Sequence, residues 1–119
     1  MARTVRIVKS SIPGPFNILD LPDQSEIEFI ATGYAIGEAE REIEEGGSKT
    51  IIKGKIMRVY TDLRTPVFGA PFVDILAGRT IALLESIFSN VGFPLKLKIK
   101  ASGKEPQKWY EITFEQLSS

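Results

Sequence analysis

Residues 26–61 read EIEFIATGYAIGEAEREIEEGGSKTIIKGKIMRVYT, and how this stretch pairs with itself decides the fold. Its middle, Glu38 to Glu45, is rich in helix formers, and Gly46-Gly47 would suit a helix end. The alternation argues for something else. Odd positions from Ile27 to Ile43 are Ile, Phe, Ala, Gly, Ala, Gly, Ala, Arg and Ile; even ones include Glu26, Glu28, Thr32, Glu38, Glu40, Glu42 and Glu44. A period of two held this long is a strand signal. If Gly46-Gly47 is a two-residue turn, which glycine's freedom at positive φ permits, Glu45 opposes Ser48 and Glu44 opposes Lys49. The same register sets Glu40 against Lys53, Glu38 against Lys55, Ile36 against Met57, Tyr34 against Val59 and Thr32 against Thr61. Each such cross-strand pair contributes ~0.2–1 kcal/mol, and a helix ending at Gly46 explains none of the downstream matches. The stretch is predicted to be a hairpin, 26–45 with 48–61. Its base, near 27–36 and 56–61, is buried, and its charged tip, 38–55, projects as a twisted arm with Gly33, Gly37 and Gly54 as bend or bulge points.

Upstream, Thr4 to Lys9 (TVRIVK) is a β-branched run read as a strand over 4–9. The segment from Ser10 to Ser25 holds Pro13, Gly14, Pro15 and Pro22 and is read as a long loop. Downstream, Asp62 to Pro71 is a connector, and a helix is expected over 72–91, opened by Pro71 and closed by Asn90-Val91-Gly92-Phe93-Pro94 with Gly92 in the left-handed cap position. Leu95 to Lys100 (LKLKIK) alternates, and Trp109 to Glu115 (WYEITFE) answers it as a second hairpin, 95–101 with 108–115. Pairing Lys100 with Trp109 sets Ile99 against Tyr110, Leu97 against Ile112 and Leu95 against Phe114, and Lys98 against Glu111 on the other face.

The predicted order β-β-β-α-β-β places the chain among β-rich α+β folds: a five-stranded barrel or a strongly curved antiparallel sheet with a long central hairpin and one helix. It resembles the OB fold in that order of elements, over nearly the whole chain and without a sequence motif. A β-grasp arrangement is the competing topology. The chain of 119 residues fits a single domain, 1–119, with 43% hydrophobic and 25% charged residues, ordinary globular values. Its longest apolar stretch, Phe72 to Val91, is interrupted by Asp74, Arg79 and Glu85, which argues against a membrane span. No apolar leader follows Met1, so a cytoplasmic location is expected.

There is no cysteine and no histidine, which removes thiol nucleophiles, Ser-His triads, zinc sites and the usual neutral-pH base. The acidic run Glu38 to Glu45 sends alternate carboxylates to opposite faces and does not wrap a calcium ion. Gly69-Ala70-Pro71-Phe72 precedes the expected helix but matches no phosphate-loop pattern. The chain is therefore expected not to be an enzyme and to need no metal or cofactor.

Net charge is zero but unevenly spread: nine acidic residues and one basic one lie between Asp20 and Glu45, and fourteen basic against six acidic residues make up the rest. Lys96, Lys98, Lys100 and Trp109 share one expected face, and cations that meet phosphates beside a ring that stacks on bases suit single-stranded nucleic acid. A second set lies on the central hairpin, where Phe29, Arg58 and Tyr60 border a trough floored by Ala31, Gly33 and Ala35, with Arg64 as a further cation. Resemblance to OB-fold proteins, many of which bind oligonucleotides on the second and third strands, implies the same partner, single-stranded DNA or RNA. The alternative is a protein-interaction or assembly module, viral or mobile-element in origin. It would homo-oligomerise through the arm, the edge strands and the apolar loop Val67 to Phe72.

Overall fold

The structure is a computed structural model, and it describes residues 4–104 and 107–117. The central hairpin is present as read: β2 (Glu26–Glu45) turns at Gly46-Gly47, both at positive φ, into β3 (Ser48–Thr61). Every pair expected from Glu45↔Ser48 to Tyr34↔Val59 occurs. The register breaks once. Gly33 pairs with Tyr60 but Ala31 pairs with Thr61, so Thr32 is an extra residue on β2 and not the partner of Thr61. A bulge of one residue reverses which positions point inward. Before it Phe29 and Ala31 face the main core; after it Tyr34 and Ile36 do, while Ala35 and Ala39 turn to the opposite side.

β2 is long enough to serve two partners along one edge. Its first part pairs with β5 (Leu95–Ser102), from Glu26↔Lys100 to Ala31↔Leu95. Its outer part pairs with β1 (Thr4–Ser10), from Thr4↔Glu44 to Ser10↔Ala39, with a bulge at Val8. The arm is therefore three strands wide, β1-β2-β3. β6 (Trp109–Gln116) flanks β5, and the path across the sheet runs β4-β3-β2-β5-β6.

The expected helix over 72–91 is two elements. Phe72–Ile75 is a short strand, β4, paired with β3 through Met57↔Ile75 and Tyr60↔Phe72, and the helix α1 is Gly78–Asn90. The apolar run Phe72 to Leu76 satisfies the edge of β3 better than it would extend a helix, because its acid, Asp74, meets Arg58 there. The helix stop also differs. Val91 is extended, its N–H still donates to Ile87, and Gly92 is not among the glycines at positive φ. The second hairpin keeps its faces but slides by two residues: Ser102, not Lys100, pairs with Trp109, and Lys98 pairs with Thr113, not Glu111. A slide of two leaves each side chain on its expected face.

The main core packs Phe29, Met57, Val59, Leu95, Leu97 and Ile99 against Ile81, Leu84, Ile87 and Phe88 of α1. Each fully buried side chain of this size contributes ~1.5–3 kcal/mol. Tyr34, Phe88 and Phe93 close one end as an aromatic trio, with centroids 5.0 Å apart for Tyr34–Phe88 and for Phe88–Phe93. On the reverse of the sheet a smaller cluster, Ile12, Ala39, Ile56 and Leu76, is covered by the proline-rich segment through Phe16 and Ile18. The result is one antiparallel sheet of six strands that does not close into a barrel.

Candidate functional site

Three regions hold the residues to which the sequence pointed, and they differ in what they leave available. The first is the outer face of β5. Lys96, Lys98 and Lys100 stand in a row with Trp109 at its end, and the Trp109 ring is 53% exposed. Acids line both sides of that row: Glu26 and Glu28 lie across it on β2, and Glu111 and Glu115 on β6. Glu28 takes both neighbours, 3.3 Å from Lys96 Nζ and 3.8 Å from Lys98 Nζ. Three lysines are thus matched by four glutamates. The face offers an aromatic platform with little surplus positive charge.

The second region is the expected trough on the hairpin, which the bulge at Thr32 takes apart. Phe29 is 1% exposed in the main core, on the opposite side of the sheet from Arg58 and Tyr60, so it presents no ring to a ligand. Arg58 is buried. Its Nε donates to Asp74 Oδ1 at 2.8 Å and one terminal nitrogen donates to Asp74 Oδ2 at 3.1 Å and to the Pro15 carbonyl at 3.0 Å. The guanidinium also lies over the Phe72 ring, 4.2 Å from its centroid. Asp74, fully buried, accepts a further bond from the Asn17 amide at 2.8 Å. Arg58 is thus a clamp between β3, β4 and the proline-rich segment, with its Nε and one terminal nitrogen committed there. Tyr60 remains half-exposed beside Gly33. Arg64 is exposed in the connector and bonds Asp62, its Nε 3.3 Å from Oδ1. That contact holds the Asp62 carboxyl below its ordinary range and lifts the guanidinium further.

Within that connector, Val67 and Ala70 exchange backbone bonds of 2.9 and 3.0 Å around a two-residue turn. Phe68 occupies its first position at φ 50, uncommon for so large a side chain, and its ring is exposed. Of the apolar loop 67–72, Val67 is buried, Phe72 half-buried and Phe68 outward.

The third region is the arm. Residues 44–53 are exposed without interruption. One face is a lattice of charge in which Glu38, Glu40, Glu42 and Glu44 form the middle row. Arg6 and Lys9 flank them on β1, and Lys49, Lys53 and Lys55 on β3. Glu42 bridges Arg6 at 3.2 Å and Lys49 at 4.0 Å, and Glu40 approaches Lys53 at 4.0 Å. The other face carries Val5, Ile7, Arg41, Ile43, Thr50 and Ile52. Val5, Val8, Ile51 and Ile52 are 40% to 53% exposed, a density of bare aliphatic side chains unusual for so small an element. The sequence shows the hairpin and the strand over 4–9, but not that the strand pairs along the arm. Arg6 and Lys9, three residues apart, face Glu42 and Glu40 only because Val8 bulges, so their spacing carries no signal of the pairing.

Among the described residues no group of three or more acidic side chains is placed to hold a metal ion. No described helix is long and apolar enough to cross a membrane. Comparison with family models, with curated proteins and with solved structures finds no match for this chain.

Proposed function

We propose that this chain is a non-enzymatic assembly module whose arm docks on a second copy of the chain. The observation that carries this reading is the exposure of Val8, Ile51 and Ile52, and of Val5 where the arm meets the body, on an element whose residues 44–53 are exposed throughout. The lysines and arginine along both outer strands discourage edge-to-edge pairing between copies, so contact falls to the apolar side chains on the faces. Zero net charge removes the long-range repulsion that would keep copies apart. Sedimentation velocity across a dilution series tests it. The wild type should associate reversibly, and Ile51→Asp with Ile52→Asp should sediment as a monomer with an unchanged thermal midpoint. A wild type that stays monomeric at the highest concentration removes the proposal.

A second reading, binding of single-stranded DNA or RNA, keeps the support of Trp109 standing exposed at the end of the lysine row. The glutamates around that row and the commitment of Arg58 to Asp74 weigh against it. Fluorescence polarisation with labelled single strands at two salt concentrations separates the two. A nucleic-acid binder loses affinity with salt by about 0.7 in log–log slope per phosphate contacted, whereas apolar self-association does not weaken.

A further inference from the structure

The sheet fails to close between β4 and β6, and the gap is a cleft of about 570 Å³, within the size range of small-molecule sites. Its lining divides cleanly by chemistry. Leu19, Ile75, Leu76 and Tyr110 supply an apolar floor, Val5 of the arm supplies one wall, and the charged groups are Arg41, Lys108 and Asp20. Lys108 and Asp20 satisfy one another at 3.2 Å. Arg41 is left over. Its Nε is buried with no hydrogen-bond partner, and among the described residues no carboxylate pairs with its guanidinium. The cause is strand geometry: Arg41 sits in sequence between Glu40 and Glu42, but alternation sends both to the charged face and Arg41 to the other. The chain also makes room for the group. A β-carbon at Gly54 would come within 2.9 Å of an Arg41 terminal nitrogen, so the guanidinium rests where β3 has no side chain. A half-buried cation with unmet donors beside an apolar floor lacks an anion.

The geometry points to this cleft as a binding site for an amphipathic organic anion, its carboxylate or phosphate head on Arg41 and its apolar body along Leu19, Ile75, Leu76 and Tyr110. The site does not depend on self-assembly, so it is tested on the wild type at dilutions where the chain is monomeric and on the single Ile51→Asp variant, whose new carboxylate lies on the face opposite Arg41. The probes are decanoate, decyl phosphate and decanol, titrated calorimetrically with Trp109 fluorescence followed in parallel. At least one of the two anions should saturate at one per chain and raise the thermal midpoint, and decanol should bind about tenfold more weakly or worse. The stronger anion identifies which head the site prefers. Arg41→Gln should bring that anion down to the affinity of decanol. Gly54→Ala, which displaces the guanidinium without removing it, should weaken it too, and serves alone if Arg41→Gln fails to fold. Lys53→Gln, on the opposite face of the arm, should change nothing. Absence of saturable binding by either anion, decanol binding as tightly as they do, or indifference to both substitutions would overturn the assignment.

Discussion

Arg58 and Asp74 show how much of this fold rests on a single pair of side chains. Both are buried, two hydrogen bonds join them, and the Asn17 amide and Pro15 carbonyl bring the proline-rich segment to the same point. A buried ion is tolerable only while its partner remains. Arg58→Ala should therefore cost ~3–5 kcal/mol in urea unfolding, and Arg58→Met with Asp74→Leu should recover much of it. A single substitution costing under ~1 kcal/mol would mean the clamp is misread. The pair was only half legible in the sequence. Asp74 stands out as an acid inside the run Phe72 to Leu76, but nothing local says that its partner is sixteen residues upstream in β3. That is why Arg58 invited a role at the surface. Asp23 is a milder case at the molecule's edge. The Gly103 amide donates to it at 2.8 Å and, with the Gln24 side chain, holds its carboxyl below the ordinary value of 3.8. A depressed carboxyl adds stability that is complete above that value and is lost as pH falls through the lower, folded one. The protection of the Gly103 amide, taken relative to its intrinsic exchange rate, should fall in that acid window, and in Asp23→Asn it should not change there.

Elements, unlike single residues, announce themselves by pattern, and the patterns fail where a residue carries no mark of its exceptional place. The central hairpin was readable because Glu38, Glu40 and Glu44 each find a lysine in one register, leaving little freedom. Thr32 is an ordinary strand residue whose role as the extra one follows only from which side chains must be inside. Without the bulge Phe29 would share a face with Arg58 and Tyr60; with it Phe29 lies in the core and the expected trough does not form. Deleting Thr32 should accordingly be severe. It would force Tyr34 and Ile36 off the core, or Phe29 and Ala31, and the chain should lose cooperative unfolding. A deletion variant with a sharp transition near the wild-type midpoint would show that the bulge is incidental. The strand β4 was lost for a different reason, since four apolar residues suit a buried strand or a helical turn equally and only length arbitrates. The β5–β6 register slid because its loop carries no two-residue turn signature to fix it.

At the scale of the whole molecule the chain consists of a packed body and an arm whose outer residues, 44–53, lie outside both hydrophobic clusters. The main core lies under the base of the hairpin, beneath α1 and β5, while beyond Arg41 the arm holds itself together by strand pairing and exposed charge. Pairs of that kind contribute tenths of a kcal/mol each, against ~3–5 kcal/mol for removing a core aromatic such as Phe29. The register supplies a clean cut, because Arg41 and Ile52 are directly opposite and can be joined by a two-residue turn. Replacing residues 42–51 with Asn-Gly keeps Ile7, Lys9 and Ser10 of β1 paired and the small cluster of Ile12, Ala39, Ile56 and Leu76 intact. The shortened chain should unfold cooperatively and lose less than ~2 kcal/mol, part of it offset by the smaller closure entropy. Phe29→Ala in the full chain should be the more damaging change. If the arm serves assembly, the same shortened protein should sediment as a monomer at concentrations where the wild type associates. Loss of folding on shortening would instead make the arm part of the stability of the body, and its exposed isoleucines would then need another explanation than contact with a second copy.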